Sequence, residues 1–148
     1  MGSPVTLVKP SSVLGMDELV DITNLLVQPY PTGRTALVAG SGNVANAAAA
    51  ATLTPGATVT AFLAGFEITG SGSTAGLPVT VTVTGLLGGT RHYTYVFVAG
   101  ALLANTPLVV EFNPPLPASA INTAIVVSCP AGGAGNTNNT TVAHGYSA

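Results

Sequence analysis

The alternation of apolar and polar positions is clearest between residues 79 and 98. Val79, Val81 and Val83 alternate with Thr80, Thr82 and Thr84, the period-two signature of a strand with one buried face. Gly85-Leu86-Leu87-Gly88-Gly89 follows, with glycines able to take the positive φ angles of a tight reversal. Tyr93-Thr94-Tyr95-Val96-Phe97-Val98 is wholly β-branched or aromatic, so a second strand is expected and the two form a hairpin.

The same reading extends along the chain. Residues 35–39 predict a short first strand, and residues 59–64 and 66–69 a long one that Gly65 bends or bulges. Leu108, Val110 and Phe112 alternate inward with Glu111 outward; residues 124–129 read as a buried strand and 140–146 as the closing one. Asn46 and the five alanines after it fit a helix or an extended edge strand equally well. Residues 70–73 are expected to be a flexible loop, 113–117 (Asn-Pro-Pro-Leu-Pro) rigid and non-regular, and 130–139 a Gly/Asn loop. Short strands separated by turn signals predict an all-β fold, an antiparallel β-sandwich of jelly-roll type.

Residues 1–34 differ from the rest. They carry Lys9, Asp17, Glu18, Asp21 and Arg34, and Pro4, Pro10, Pro29 and Pro31 punctuate them. With no core pattern of its own, this part reads as an extended N-terminal arm lying on its own sandwich or on a neighbouring subunit. The expected division is an arm and edge segment over residues 1–52 and a sandwich over 53–148.

Composition changes the picture in one respect. The apolar fraction of 47% suffices for a core, but only 5% of residues are charged, against about 25% in ordinary soluble domains. The surface must therefore be built from Thr, Ser, Asn and small apolar residues, which suits a protein covered by copies of itself or by a partner. Lys9, Arg34 and Arg91 are the only strong cations, so no nucleic-acid partner is expected. No apolar run reaches the length of a membrane span, and the first residues lack the pattern of a signal peptide, so no membrane partner is expected either.

Candidate chemistry is sparse. Cys129 stands alone and reads as a small buried hydrophobe. His92 and His144 are the only histidines, and no His or Cys pair has metal-ligand spacing, so no metal or other cofactor is expected. His144, alternating with Val142 and Tyr146, reads as a hydrogen-bonded strand histidine. No nucleophile elbow or phosphate-binding glycine loop is present, and a non-enzymatic role follows. The residues singled out as a candidate interface are Arg91, His92, Tyr93, Tyr95, Asn138 and Asn139. Tyr93, Tyr95 and Phe97 share one face of a strand and could stack on a sugar, with core or subunit packing as the plainer alternative.

Four stretches carry a resemblance: Phe62-Leu63-Ala64-Gly65-Phe66-Glu67-Ile68-Thr69-Gly70; residues 79–90; Val110-Glu111-Phe112-Asn113-Pro114-Pro115-Leu116-Pro117-Ala118-Ser119; and Ala131-Gly132-Gly133-Ala134-Gly135-Asn136-Thr137. Residues 55–148 resemble the small β-sandwich virion proteins of tailed bacteriophages, the capsid decoration or cement class. The resemblance implies a non-enzymatic homo-oligomer, often a trimer, made in the host cytoplasm and seated on the capsid surface, with the major capsid protein as partner. A receptor-binding or adhesive jelly-roll module is the alternative, using the tyrosines and the Asn-rich 136–139 loop. Another virion component (neck, tail or shell) is the third reading.

Overall fold

The computed structural model describes residues 33–100 and 105–148. The segment 1–32, where most of the expected arm falls, lies outside the described residues. The described chain is all β: β1 (Thr35–Gly40), β2 (Ala49–Leu53), β3 (Ala61–Ser71), β4 (Leu77–Thr84), β5 (Arg91–Phe97), β6 (Leu108–Pro117), β7 (Ile125–Cys129) and β8 (Asn138–Ser147).

The pairing is nested. β4 pairs with β5, β3 with β6, β2 with β7 and β1 with β8, every pair antiparallel. The described chain is thus one long hairpin whose tip is the glycine turn after Thr84. Rolling it up brings β3 beside β8 and β4 beside β7. Two four-stranded sheets result, β1-β8-β3-β6 and β2-β7-β4-β5. This is the jelly-roll form of the sandwich.

The core lies between the sheets. Leu53, Leu63, Phe66, Ile68, Val81, Val83, Phe97, Ile125 and Val127 are each at most 1% exposed, and burial of each such side chain contributes roughly 1.5–3 kcal/mol. Phe66 meets the Tyr93 ring edge-on at 5.2 Å, and Tyr95 meets Phe97 likewise at 5.1 Å. In β6, Leu108, Val110 and Phe112 are more buried than Val109 and Glu111, as their alternation predicts.

Several expectations need correction. β1 and β2 are strands of the two sheets, so the sandwich extends back to Thr35 and no boundary falls at residue 52. Of the two readings open for the alanine run, the edge strand is the one observed: Ala49–Ala51 open β2, whose ladder to β7 overrides alanine's helical preference, while Ala47 and Ala48 precede the strand. Gly70 and Ser71 belong to β3, and Ser73 is 1% exposed with its hydroxyl donating to the Gly132 carbonyl at 2.8 Å, so residues 70–73 are not a free loop. Residues 113–117 fall within β6. They are accommodated because β6 is an edge strand and its ladder to β3 shifts register between Leu63 and Gly65, the tolerance that edges and bulges give proline. The 130–139 loop ends earlier than expected, since Asn138 and Asn139 open β8.

With so few charges, the loops are held by neutral hydrogen bonds. Asn136 Nδ2 donates to the Ser71 and Asn138 carbonyls, both at 2.8 Å. Asn139 Nδ2 donates to the Ala47 and Pro130 carbonyls, both at 3.0 Å. Asn105 Oδ1 accepts the Val98 amide at 3.0 Å. Both Asn136 and Asn139 are fully buried, where losing such a partner costs about 1–3 kcal/mol.

Two outcomes follow. A Cβ at Gly145 would lie 1.9 Å from the Phe62 carbonyl oxygen. Gly145→Ala must therefore part β8 from β3 and should lower unfolding free energy by about 2–4 kcal/mol in urea titration; an unchanged midpoint would contradict the close approach. Burial pushes the Cys129 thiol up to about 11, with Asn139 pulling the other way. The unfolded thiol ionises first, so stability present below pH 9 should decline as pH rises toward 11, by on the order of 2 kcal/mol. Tyr95, also raised by burial, acts in the same direction. Cys129→Ala should flatten that slope, and an unaltered slope would exclude the thiol as its source.

Candidate functional site

The outward face of the β1-β8-β3-β6 sheet is the most unusual surface of the described chain. Its origin is an inversion in β8. Asn139, Thr141, Ala143, Gly145 and Ser147 turn inward and are buried, whereas Val142, His144 and Tyr146 turn outward. A strand that places small and polar residues inside and larger apolar ones outside reverses the ordinary pattern of a half-buried sheet.

Register builds the face in rungs. Ala36, Tyr146 and Phe62 form one; Val38, His144, Gly65 and Glu111 the next; Gly40, Val142, Glu67 and Val109 a third; and Thr140 with Thr69 a fourth. Val38 is 71% exposed, Val109 58% and Val142 37%. Phe62 and Tyr146 stack at 4.9 Å with rings 15° from parallel, and the Arg34 guanidinium lies 5.9 Å from the centre of the Tyr146 ring.

The second rung carries a Glu–His pair, and the exposed Glu67 stands in the third between Val142 and Val109. His144 Nε2 lies 3.3 Å from Glu111 Oε2, although β3 runs between their strands. The contact exists because position 65 is glycine: a Cβ there would sit 2.5 Å from the same carboxylate oxygen. Both side chains are substantially exposed, so the pair contributes no more than about 1 kcal/mol. Its effect is to orient two polar groups among the valines. The partner of His144 was not evident from sequence, though the outward parity of Glu111 was.

Beyond the Thr69–Thr140 rung the face runs into an open groove of about 600 Å³. Asn43, Thr69, Ser71, Asn105, Asn138 and Thr140 line it. They come from the β1–β2, β3–β4, β5–β6 and β7–β8 ends of the strands, which meet at one end of the sandwich.

The six interface candidates separate. Arg91 and His92 are exposed at the start of β5, His92 opposite Thr82. Tyr93 is half-buried against Phe66, and Tyr95 is only 5% exposed, because β5 pairs them with the inward Val81 and Val79. The tyrosine row is therefore core, not a stacking platform. Asn138 is exposed, its Nδ2 donating to Ser71 Oγ at 2.7 Å, while Asn139 is buried and clamps two loops. Tyr95 and Asn139 thus leave the interface set. The opposite sheet carries Thr52, Thr80, Thr82, Thr84 and Thr94 on its outward side, with Ser128 and His92.

Among the described residues no group of three His, Cys, Asp or Glu side chains could hold a metal ion, and no helix is long and apolar enough to cross a membrane. No family model, no curated protein and no solved structure matches this chain.

Because the Glu111–His144 pair is largely solvated, Glu111→Gln should change unfolding free energy by less than about 1 kcal/mol in urea titration. A larger loss would make the rung a structural brace rather than part of a contact face.

Proposed function

We propose that this protein is a non-enzymatic virion structural protein, a decoration or cement protein that stabilises a phage head by bridging capsid subunits. The observation that carries the reading is the inverted β8, which sets Val142 and Tyr146 on an outer face beside the exposed Val38 and Val109. Exposed apolar residues gathered on one sheet face mark a surface suited to being covered. Jelly rolls serve capsids, lectins and cupins alike, so the fold supports this reading without selecting it.

The chain's poverty in charge supports the same conclusion. Contacts made largely through valine, aromatic rings and threonine bury surface with few ions to desolvate, the costly part of many interfaces. On a lattice, a homotrimer would engage the major capsid protein at several equivalent points, so that modest contacts combine into firm attachment. The alternative adhesive reading used the tyrosines and the Asn-rich 136–139 loop; Tyr95 is buried and Tyr93 half-buried against the core, so the tyrosine part of it loses its support, while Asn138 of the loop stays exposed.

Purified protein added to undecorated heads should bind and raise their resistance to heat. Val142→Glu and Val38→Glu, both at exposed positions that leave the core intact, should each weaken head binding at least about tenfold, equivalent to about 1.4 kcal/mol. Undiminished binding by both variants would remove this face from the contact, and failure of the parent protein to bind any head would remove the reading itself.

A further inference from the structure

We infer that the groove at the four-loop end of the sandwich is a binding site for a neutral, polyhydroxylated ligand of the carbohydrate class. This goes beyond head binding and does not depend on it. The groove's volume of about 600 Å³ falls within the range of small-ligand sites, roughly 300–1,000 Å³.

Its lining selects the ligand by chemistry. Asn43, Asn105 and Asn138 supply amides, and Thr69, Ser71 and Thr140 supply hydroxyls; none of the lining side chains is charged. A phosphate, carboxylate or metal ion would find no opposite charge there. Amides and hydroxyls both donate and accept, as sugar hydroxyls do. The Pro107 ring, the threonine methyls and the Gly70 backbone add apolar surface for the C–H side of a sugar ring.

Some of these groups are held and others are free. Asn138 is fixed by its hydrogen bonds to Ser71 Oγ and Thr137 Oγ1, and Asn105 by the Val98 amide. Among the described residues, the side chains of Asn43, Thr69 and Thr140 make no hydrogen bond. Thr69 and Thr140 stand directly opposite each other on paired strands, so two free hydroxyls are presented on a rigid base. Preorganisation of that kind favours affinity.

The backbone argues against an extended peptide as occupant. Around the groove the backbone groups of the loops are already bonded: Ser41 N bonds Thr141 O, Val44 and Asn139 exchange bonds, Asn105 N bonds Gly70 O and Thr137 N bonds Ser71 O. A peptide strand needs a free ladder to join. Side-chain donors and acceptors are what this groove offers.

The test is protein-observed NMR titration of the full chain with glucose, galactose, mannose, N-acetylglucosamine, maltose and lactose. At least one sugar should produce saturable shifts of the Asn43, Thr69 and Thr140 amides. Thr69→Val and Thr140→Val keep β-branched shape while deleting the hydroxyls, and each should weaken binding at least about tenfold; Val109→Ala, outside the groove, should not. Asn43→Ala, in the groove but off the rungs of the sheet face, should weaken sugar binding while head binding persists, which separates failure of this site from failure of the virion reading. Absence of saturable shifts across the panel, binding that survives both valine variants, or saturation by a neutral extended peptide in place of sugars would overturn the inference.

Discussion

Nested antiparallel pairing is the constraint from which the rest of this structure follows. β1 finds its partner in β8 at the far end of the chain, and each successive pair closes inside the last until β4 meets β5 across the glycine turn. Only that innermost pair is local. The outer ladders form at the cost of long loop closures, and the core between the sheets offsets them. Any change that separates β8 from its neighbours therefore acts on a strand bonded on both sides, to β1 and to β3.

A chain so poor in ions must hold its loops another way. Asn136 and Asn139 do this by reaching backbone groups of distant segments, the part that ion pairs or disulfides take in other small domains, and Asn105 reaches back to the nearby Val98 amide. Tyr95 sits in the same region; burial raises its hydroxyl pKa while Asn105 opposes the rise, although no hydrogen bond of normal geometry joins the two. The described surface is thereby left mostly to threonine, valine and other neutral residues, with Arg34, Glu67, Arg91 and the Glu111–His144 pair as its charged groups.

What was legible in the sequence was what is local. The Val/Thr alternation and the glycine turn announced β4 and β5, and the alternation in β6 placed Glu111 outward, because side-chain period and turn chemistry act over a few residues. The β2 alanines were ambiguous, since their strand state is conferred by β7, more than 70 residues away. Residues 113–117 looked non-regular because their tolerance depends on β6 being an edge. The candidate face was hidden for a further reason. In β8 apolar residues point outward, so the rule that apolar means inward assigns that strand's faces backwards.

The nested pairing also gives the sandwich two unlike ends. Thr35 lies opposite Ser147, and Ala148 exchanges backbone hydrogen bonds with Thr60, so the chain enters and leaves the described body side by side. The four loops around the amide-lined groove gather at the opposite pole. A tether or fusion attached at residue 148 therefore leaves the groove pointing away from the anchor. The described body is vectorial: the chain enters and leaves at one pole, and the groove opens at the other.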